Sequence, residues 1–298
     1  MFPTSIKRKS FSGKVYNFTV NETHLYVVNG MVVSNCHENS TVNGKHGDLK
    51  ALEPMIATLH AGTECSAGGG NALAHPDLVW FLERLKEQGV IANITINQRH
   101  LRPYKDIICK IVGDGLVHGI GISLTDSSNK EDFAFIDTLG NNVVIHTIAG
   151  ILSEKDVPAL AGRKILVLGY KDLRRGHAML EHHGDEIKKN IEWLKSMLAT
   201  INLSGSNPFR VISFDCLGIE QLDPKRLLGI SDERYNQLFQ GSDTDVKDAD
   251  GNITCATMYI DVPNMQVARM STAALDKRYS FTGRENIHDL LQITTQGW

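Results

Sequence analysis

The residues best able to do chemistry fall in two stretches. The first runs from His24 to Cys36. A cysteine thiolate is the most capable side-chain nucleophile near neutral pH, and an imidazole titrates close to the working pH. The second is Gly68-Gly69-Gly70, followed by Asn71. Glycines let a backbone approach a ligand closely; the plainer reading is a strand-to-helix turn. The five cysteines are Cys36, Cys65, Cys109, Cys216 and Cys255. Their number is odd, their spacing wide, and no CxxC pair occurs, which argues against a disulfide framework and for a reducing compartment. Cys65, Cys109, Cys216 and Cys255 are read as small buried apolar residues.

The elements that must position these groups change character at Cys36. Lys14–Val20 and Leu25–Val28 read as short strands, then Asn29-Gly30 supplies a tight turn into Met31–Val33. Asn-Gly between apolar strands is a strong hairpin signal. Beyond Cys36 strands and helices alternate. Asp48–His60 has a helical stripe of Leu49, Leu52, Met55 and Leu59. Thr63–Ala67 is a strand. Asp77–Gln88 is a helix, with Pro76 at its start and Gly89 at its end. Ile91–Asn97, Val117–Leu124, Asn142–Ala149 and Lys164–Gly169 are strands, with helices over His100–Val112 and Lys130–Leu139. Ser153 and Asp156 have capping-box spacing. This alternation argues for a parallel sheet or barrel. Past residue 170 the pattern predicts a helix over Asp185–Thr200, a strand Arg210–Asp215, helical turns over Glu220–Gln240, a strand Thr254–Val262 and a final helix Glu285–Ile293.

Composition excludes some classes. The chain has 298 residues, and its net charge of −3 carries no basic excess for nucleic acid. No apolar run is long enough for a bilayer, and the first twelve residues lack the apolar core of a signal peptide. The expected location is the cytoplasm.

Residues 13–36 read GKVYNFTVNETHLYVVNGMVVSNC. This resembles the C-terminal motifs of inteins: a VYxxxV strand, a turn histidine, an NG hairpin and a terminal Asn-Cys. The resemblance implies that Cys36 attacks an upstream thioester or ester. Asn35 then cyclises through its side-chain amide and releases Cys36 as the first residue of the spliced product. His24 would donate the proton that step needs. Asn17 stands where inteins often carry Asp, and Ser34 where many carry His; both departures imply slower chemistry. No N-terminal intein motif precedes residue 14, so the resemblance implies either a split intein completed by a separate N-terminal partner or a contiguous intein read from an internal Met.

From Cys36 onward the chain resembles the radical S-adenosylmethionine superfamily. The strongest stretch is residues 67–97, AGGGNALAHPDLVWFLERLKEQGVIANITIN. Gly69, Gly70 and Asn71 fall where the family has Gly-Gly-Glu, at the strand end that binds the cofactor's amino group. The resemblance implies S-adenosylmethionine and a [4Fe–4S] cluster as cofactors, with three cysteines in a CxxxCxxC loop after the first strand. Only Cys36 stands in the right place. The partner chain would supply the first strand and the other two cysteines, and Cys36 would serve first as splicing nucleophile, then as iron ligand. Asn97 and Ser123 are further candidate cofactor contacts at strand ends. His146 and Thr147 sit on one strand, so one faces the cavity and the other the helices.

The expected organisation is therefore a small all-β intein (Hint) fragment over 1–35, an α/β partial (β/α)6 barrel lacking its first strand over 36–170, and a C-terminal α+β extension over 171–298. The alternative is a non-catalytic α/β scaffold or interaction protein with a Hint-like appendage and a degenerate barrel. The substrate is not legible.

Overall fold

The computed structural model describes residues 45–140, 142–172, 175–238, 246–247, 253–255, 258–269 and 273–296, together with the strands 26–28 and 31–33. Those two strands, β1 (Tyr26–Val28) and β2 (Met31–Val33), pair antiparallel with Val28 opposite Met31. Asn17, His24, Ser34, Asn35 and Cys36 lie outside the described residues.

The body of the chain is a six-stranded sheet of β3 (Glu64–Ala67), β4 (Ile91–Asn97), β5 (Gly119–Ser123), β6 (Val143–Ile148), β7 (Lys164–Leu168) and β8 (Val211–Phe214), paired in that order and all parallel. Each expected strand from residue 63 to 169 is present. The sheet also continues past residue 170, through β8.

Helix α1 (Glu53–Ile56) precedes β3, and the helices connecting the strands are α2 (Leu78–Glu87), α3 (Lys105–Gly113), α4 (Lys130–Thr138), α5 (Val157–Leu160) and α6 (Arg175–Ser204). Two are shorter than the periodicity predicts, each for a proline. Pro54 sits at the second position of α1, where its missing N–H cannot continue the preceding turn, so 50–52 forms a 3-10 turn instead. Pro103 likewise delays α3 to Lys105. α6 is longer than expected and breaks at His183, which leaves helical geometry (φ −131°, ψ 23°). The Ser153–Asp156 capping box forms as its spacing predicts.

The core lies on one face of the sheet. Ile94, Ile96, Ile120, Ile122, Ile145, Ile165 and Val167 are buried in one cluster with Leu82 and Leu85 of α2, Ile108 and Ile111 of α3, Phe133 of α4 and Leu194 of α6. Alternate strand residues point the other way. Thr95, Val144, His146, Ile148, Leu166 and Leu168 do not belong to that cluster. A sequentially ordered parallel sheet whose described helices pack on one face resembles a partial (β/α) barrel, in which the opposite face is the concave interior.

After β8 come α7 (Cys216–Leu222), α8 (Pro224–Leu227) and α9 (Asp232–Leu238). The expected strand over 254–262 is two strands in separate sheets. β9 (Val246–Lys247) pairs with β10 (Ile253–Cys255), while β11 (Tyr259–Asp261), β12 (Gln266–Ala268) and β13 (Tyr279–Ser280) form an antiparallel sheet of three. That small sheet and the last helix, α10 (Ile287–Gln296), dock on the segment before β3. Met55 N donates to Gly283 O at 3.2 Å, and Ile287 N to Thr58 Oγ1 at 3.0 Å. Gly47 is so close to this region that a Cβ there would lie 2.7 Å from Val262 Cβ.

Two cysteines depart from the expected burial. Cys109 is exposed because Ile108 and Ile111 turn the other face of α3 inward, and Cys216 is exposed at the start of α7. Cys65 is held under the helices, and burial pushes its thiol up to about 11. Among the described residues no helix is long and apolar enough to cross a membrane.

The one-sided core makes a direct prediction. Ile165→Ala, on the helix face, should cost roughly 2–5 kcal/mol. Leu166→Ala, its neighbour on the concave face, should cost clearly less, as read from urea unfolding midpoints of the two variants.

Candidate functional site

The glycine run sits where β3 ends. Gly69 and Gly70 have φ of +89° and +55°, which side-chain-bearing residues rarely adopt, and the space where a Cβ of Gly68 or Gly69 would stand is open. Asn71 follows, its Oδ1 buried and without a hydrogen-bond partner among the described residues. A buried acceptor left unpaired costs about 1–3 kcal/mol, so this oxygen is suited to a ligand that brings a donor.

Asn97 and Ser123 end the next two strands and are direct register partners. The candidate residues of β3, β4 and β5 therefore share the C-terminal rim of the sheet, where barrel enzymes place their chemistry. Asn97 also caps the following turn, its Oδ1 accepting from Arg99 N at 3.1 Å.

The rim is fastened by Gln98, which no motif in the sequence singles out. Its side chain is buried and fully used. Nε2 donates to Asp126 O and Asp132 Oδ2, and Oε1 accepts from Thr125 N and Asp126 N, all within 3.0 Å. Arg102 Nε closes the far side on Asp132 Oδ1 at 2.9 Å. These bonds tie the turn after β4 to the loop after β5, which fixes Asn97 against Ser123.

Below the rim the concave face carries a polar set. Asn93 Nδ2 donates to Glu64 Oε1 at 2.6 Å. Gly119 leaves room for it, since a Cβ there would lie 2.8 Å from Asn93 Oδ1 and displace that amide. Gly121 plays the same part farther along the strand: a Cβ would meet His146 Nε2 at 2.5 Å and Thr95 Oγ1 at 3.0 Å and push the imidazole aside. His146 thus faces away from the core and Thr147 toward the helices, where its Oγ1 donates to Leu166 O at 3.3 Å. Burial holds the His146 imidazole below its ordinary value, so it is neutral near pH 7. The signal for Asn93 and Thr95 is the period-two alternation of β4, in which Ala92, Ile94 and Ile96 are buried and the residues between them are not.

The loop after β7 is structural. Tyr170 N donates to Gln221 Oε1, Gln221 Nε2 returns a bond to Tyr170 O, and Tyr170 Oη donates to Gly176 O at 2.6 Å. Asp172 accepts from His177 Nδ1 at 2.8 Å, and this carboxylate raises the histidine above its ordinary value. Among the described residues no three His, Cys, Asp or Glu side chains are grouped to hold a metal ion.

No protein-family model matches the chain, and no curated protein matches it in sequence. Among solved structures it is similar to the crystal structure of Streptococcus suis SuiB bound to S-adenosylmethionine, with a TM-score of 0.52 and 12% sequence identity. The match covers 85% of this chain and 59% of that one, so the chain spans less than two thirds of the relative. At this identity the likeness is one of fold. The partial barrel is that fold.

The two histidines should titrate on opposite sides of 6.5, His146 below and His177 above, as read from imidazole resonances by NMR. Each sign follows from proton linkage. As pH falls through 6.5 the unfolded chain protonates His146 before the folded one, so that contribution to stability declines until the lowered folded value is passed. The His177 contribution is complete below 6.5 and is lost as pH rises through its raised folded value. Gln98→Ala should destabilise by about 2–3 kcal/mol, because it strands two backbone N–H groups and leaves Asp132 short of a donor, measurable by denaturant titration.

Proposed function

We propose that the concave face is the active site of a radical S-adenosylmethionine enzyme whose substrate is still to be identified. The observation that carries this reading is Asn71 Oδ1, a buried acceptor without a partner among the described residues, beside two left-handed glycines at the end of β3. That arrangement fits the ammonium group of S-adenosylmethionine: an acceptor oxygen, with backbone that a ligand can approach. The relative of similar fold is a protein bound to S-adenosylmethionine. Gly69, Gly70 and Asn71 would hold the amino-acid end, and Asn97 and Ser123 would line its path along the rim. Bound there beside a reduced cluster, S-adenosylmethionine supplies radical chemistry.

The described residues do not provide a ligand set for that cluster. We assign one ligand to Cys36 and the other two to a partner chain. β3 is the edge strand of the sheet, and its outer edge has no partner strand among the described residues. An unpaired edge is a template for another strand, in keeping with a first strand supplied by the partner. Splicing at Asn35–Cys36, with His24 as proton donor and Asn17 and Ser34 beside the reaction, would join the two pieces. The antiparallel pairing of β1 with β2 supports a hairpin at the expected NG position.

Two experiments test this. Asn71→Ala should weaken S-adenosylmethionine binding by about tenfold, the equivalent of one lost hydrogen bond of ordinary strength, in equilibrium dialysis. Peptide mass spectrometry of the native-source protein should find CHENSTVNGK joined to upstream residues other than Val33-Ser34-Asn35 and carrying two cysteines in CxxxCxx spacing. If the tryptic peptide always runs unbroken through Asn35, splicing does not occur.

A further inference from the structure

The concave face is divided chemically. β3, β4 and β5 contribute polar groups or glycine: Glu64, Asn93, Thr95, Gly119 and Gly121. The neighbouring strands contribute aliphatic side chains, Val144 and Ile148 on β6 and Leu166 and Leu168 on β7. Register fixes this: His146 is level with Leu166, and Ile148 with Leu168. None of these four aliphatic residues joins the core on the other face, and Ile148 is 40% exposed. His146 stands on the dividing line. It is half-buried, it leans over Gly121 against Thr95, and its ring makes no hydrogen bond to protein among the described residues.

A solvated histidine on an apolar surface is ordinary. Here, however, the adjacent strand has given up a side chain at Gly121, and the imidazole occupies the vacated volume beside a hydroxyl. A neutral imidazole offers one donor and one acceptor, and burial keeps this one neutral. A group that answers both is itself neutral with a donor and an acceptor, a hydroxyl or an amide. The aliphatic strip one strand away then fits the apolar body to which that group is attached.

We propose that His146 is a substrate-contacting residue, and that the ligand it reads is an apolar group bearing a hydroxyl or an amide, seated on Ile148, Leu166 and Leu168. This names a substrate class for the site proposed above and rests on that reading for its chemistry, though the binding can be tested without it.

The test uses the full chain with labelled Ile, Leu and Val methyl groups and labelled histidine. N-acetyl-leucine N-methylamide is the probe, titrated into the millimolar range and followed by NMR. The methyls of Ile148, Leu166 and Leu168 and the ring of His146 should shift together and saturate. Gly121→Ala, which displaces the ring, and His146→Ala should each weaken the probe by at least about tenfold. His146→Gln, which keeps a donor and an acceptor, should retain most of the affinity and guards against a loss caused by misfolding. Absence of shifts at these residues would overturn the proposal, as would saturable shifts that His146→Ala leaves unchanged. Binding of S-adenosylmethionine is measured in parallel. If the probe binds as expected and S-adenosylmethionine does not, the cofactor reading fails and the ligand class stands; the reverse result rejects the ligand class alone.

Discussion

A parallel sheet ordinarily has helices on both faces, because its crossovers fall on both sides and each face can then be buried. In this chain the strands follow one another in sequence order and the core collects on one side. The other face has to be stabilised some other way or left for a ligand. Most of what is distinctive in the molecule follows from that constraint. Isoleucine and valine line the covered face almost without interruption. The bare face carries glycines, amides, a threonine and a histidine on one half and aliphatic residues on the other. Glycine at 119 and 121 fits this arrangement: two neighbouring side chains reach across β5, and a Cβ beneath either would displace it.

The polar rim solves a second problem. Loops at the C-terminal ends of strands must hold their groups still while remaining near solvent. Gln98 does this with one buried amide that satisfies backbone on two sides. A buried amide with both ends used fixes geometry more firmly than an exposed ion pair, whose contribution is small and screened. Arg102 supports this anchor from outside, pairing with Glu131 at the surface and with the buried Asp132 behind it.

The strands between residues 63 and 169 are legible in the sequence because each combines β-branched residues with clear breaks at glycine. The Ser153–Asp156 box is legible because capping is local. The glycine run at the end of β3 reads as a turn whose backbone a ligand could approach, and its φ values are those that glycine alone adopts readily. Periodicity overstates the lengths of α1 and α3, since an apolar stripe does not register the N–H that Pro54 and Pro103 lack. The sixth strand is visible, but its place in the sheet is not, because α6 separates it from β7 by a long connection. Which of His146 and Thr147 faces inward needs the register with β5, a relation between distant segments. Gln98 gives no signal at all: a single glutamine after a strand is common, and only its partners around residue 126 reveal its role.

The docking of the last elements on the segment before β3 has a consequence for biosynthesis. Thr58 and Ile287 are hydrogen-bonded across 229 residues of chain, and Gly283 and Met55 are joined in the same way. A ribosome delivers residues 45–60 first and their cover last. Contacts so distant in sequence form late, so the early segment waits, without its final packing, while the barrel assembles behind it. Residues 45–60 therefore gain their final cover only once the C-terminal elements have emerged.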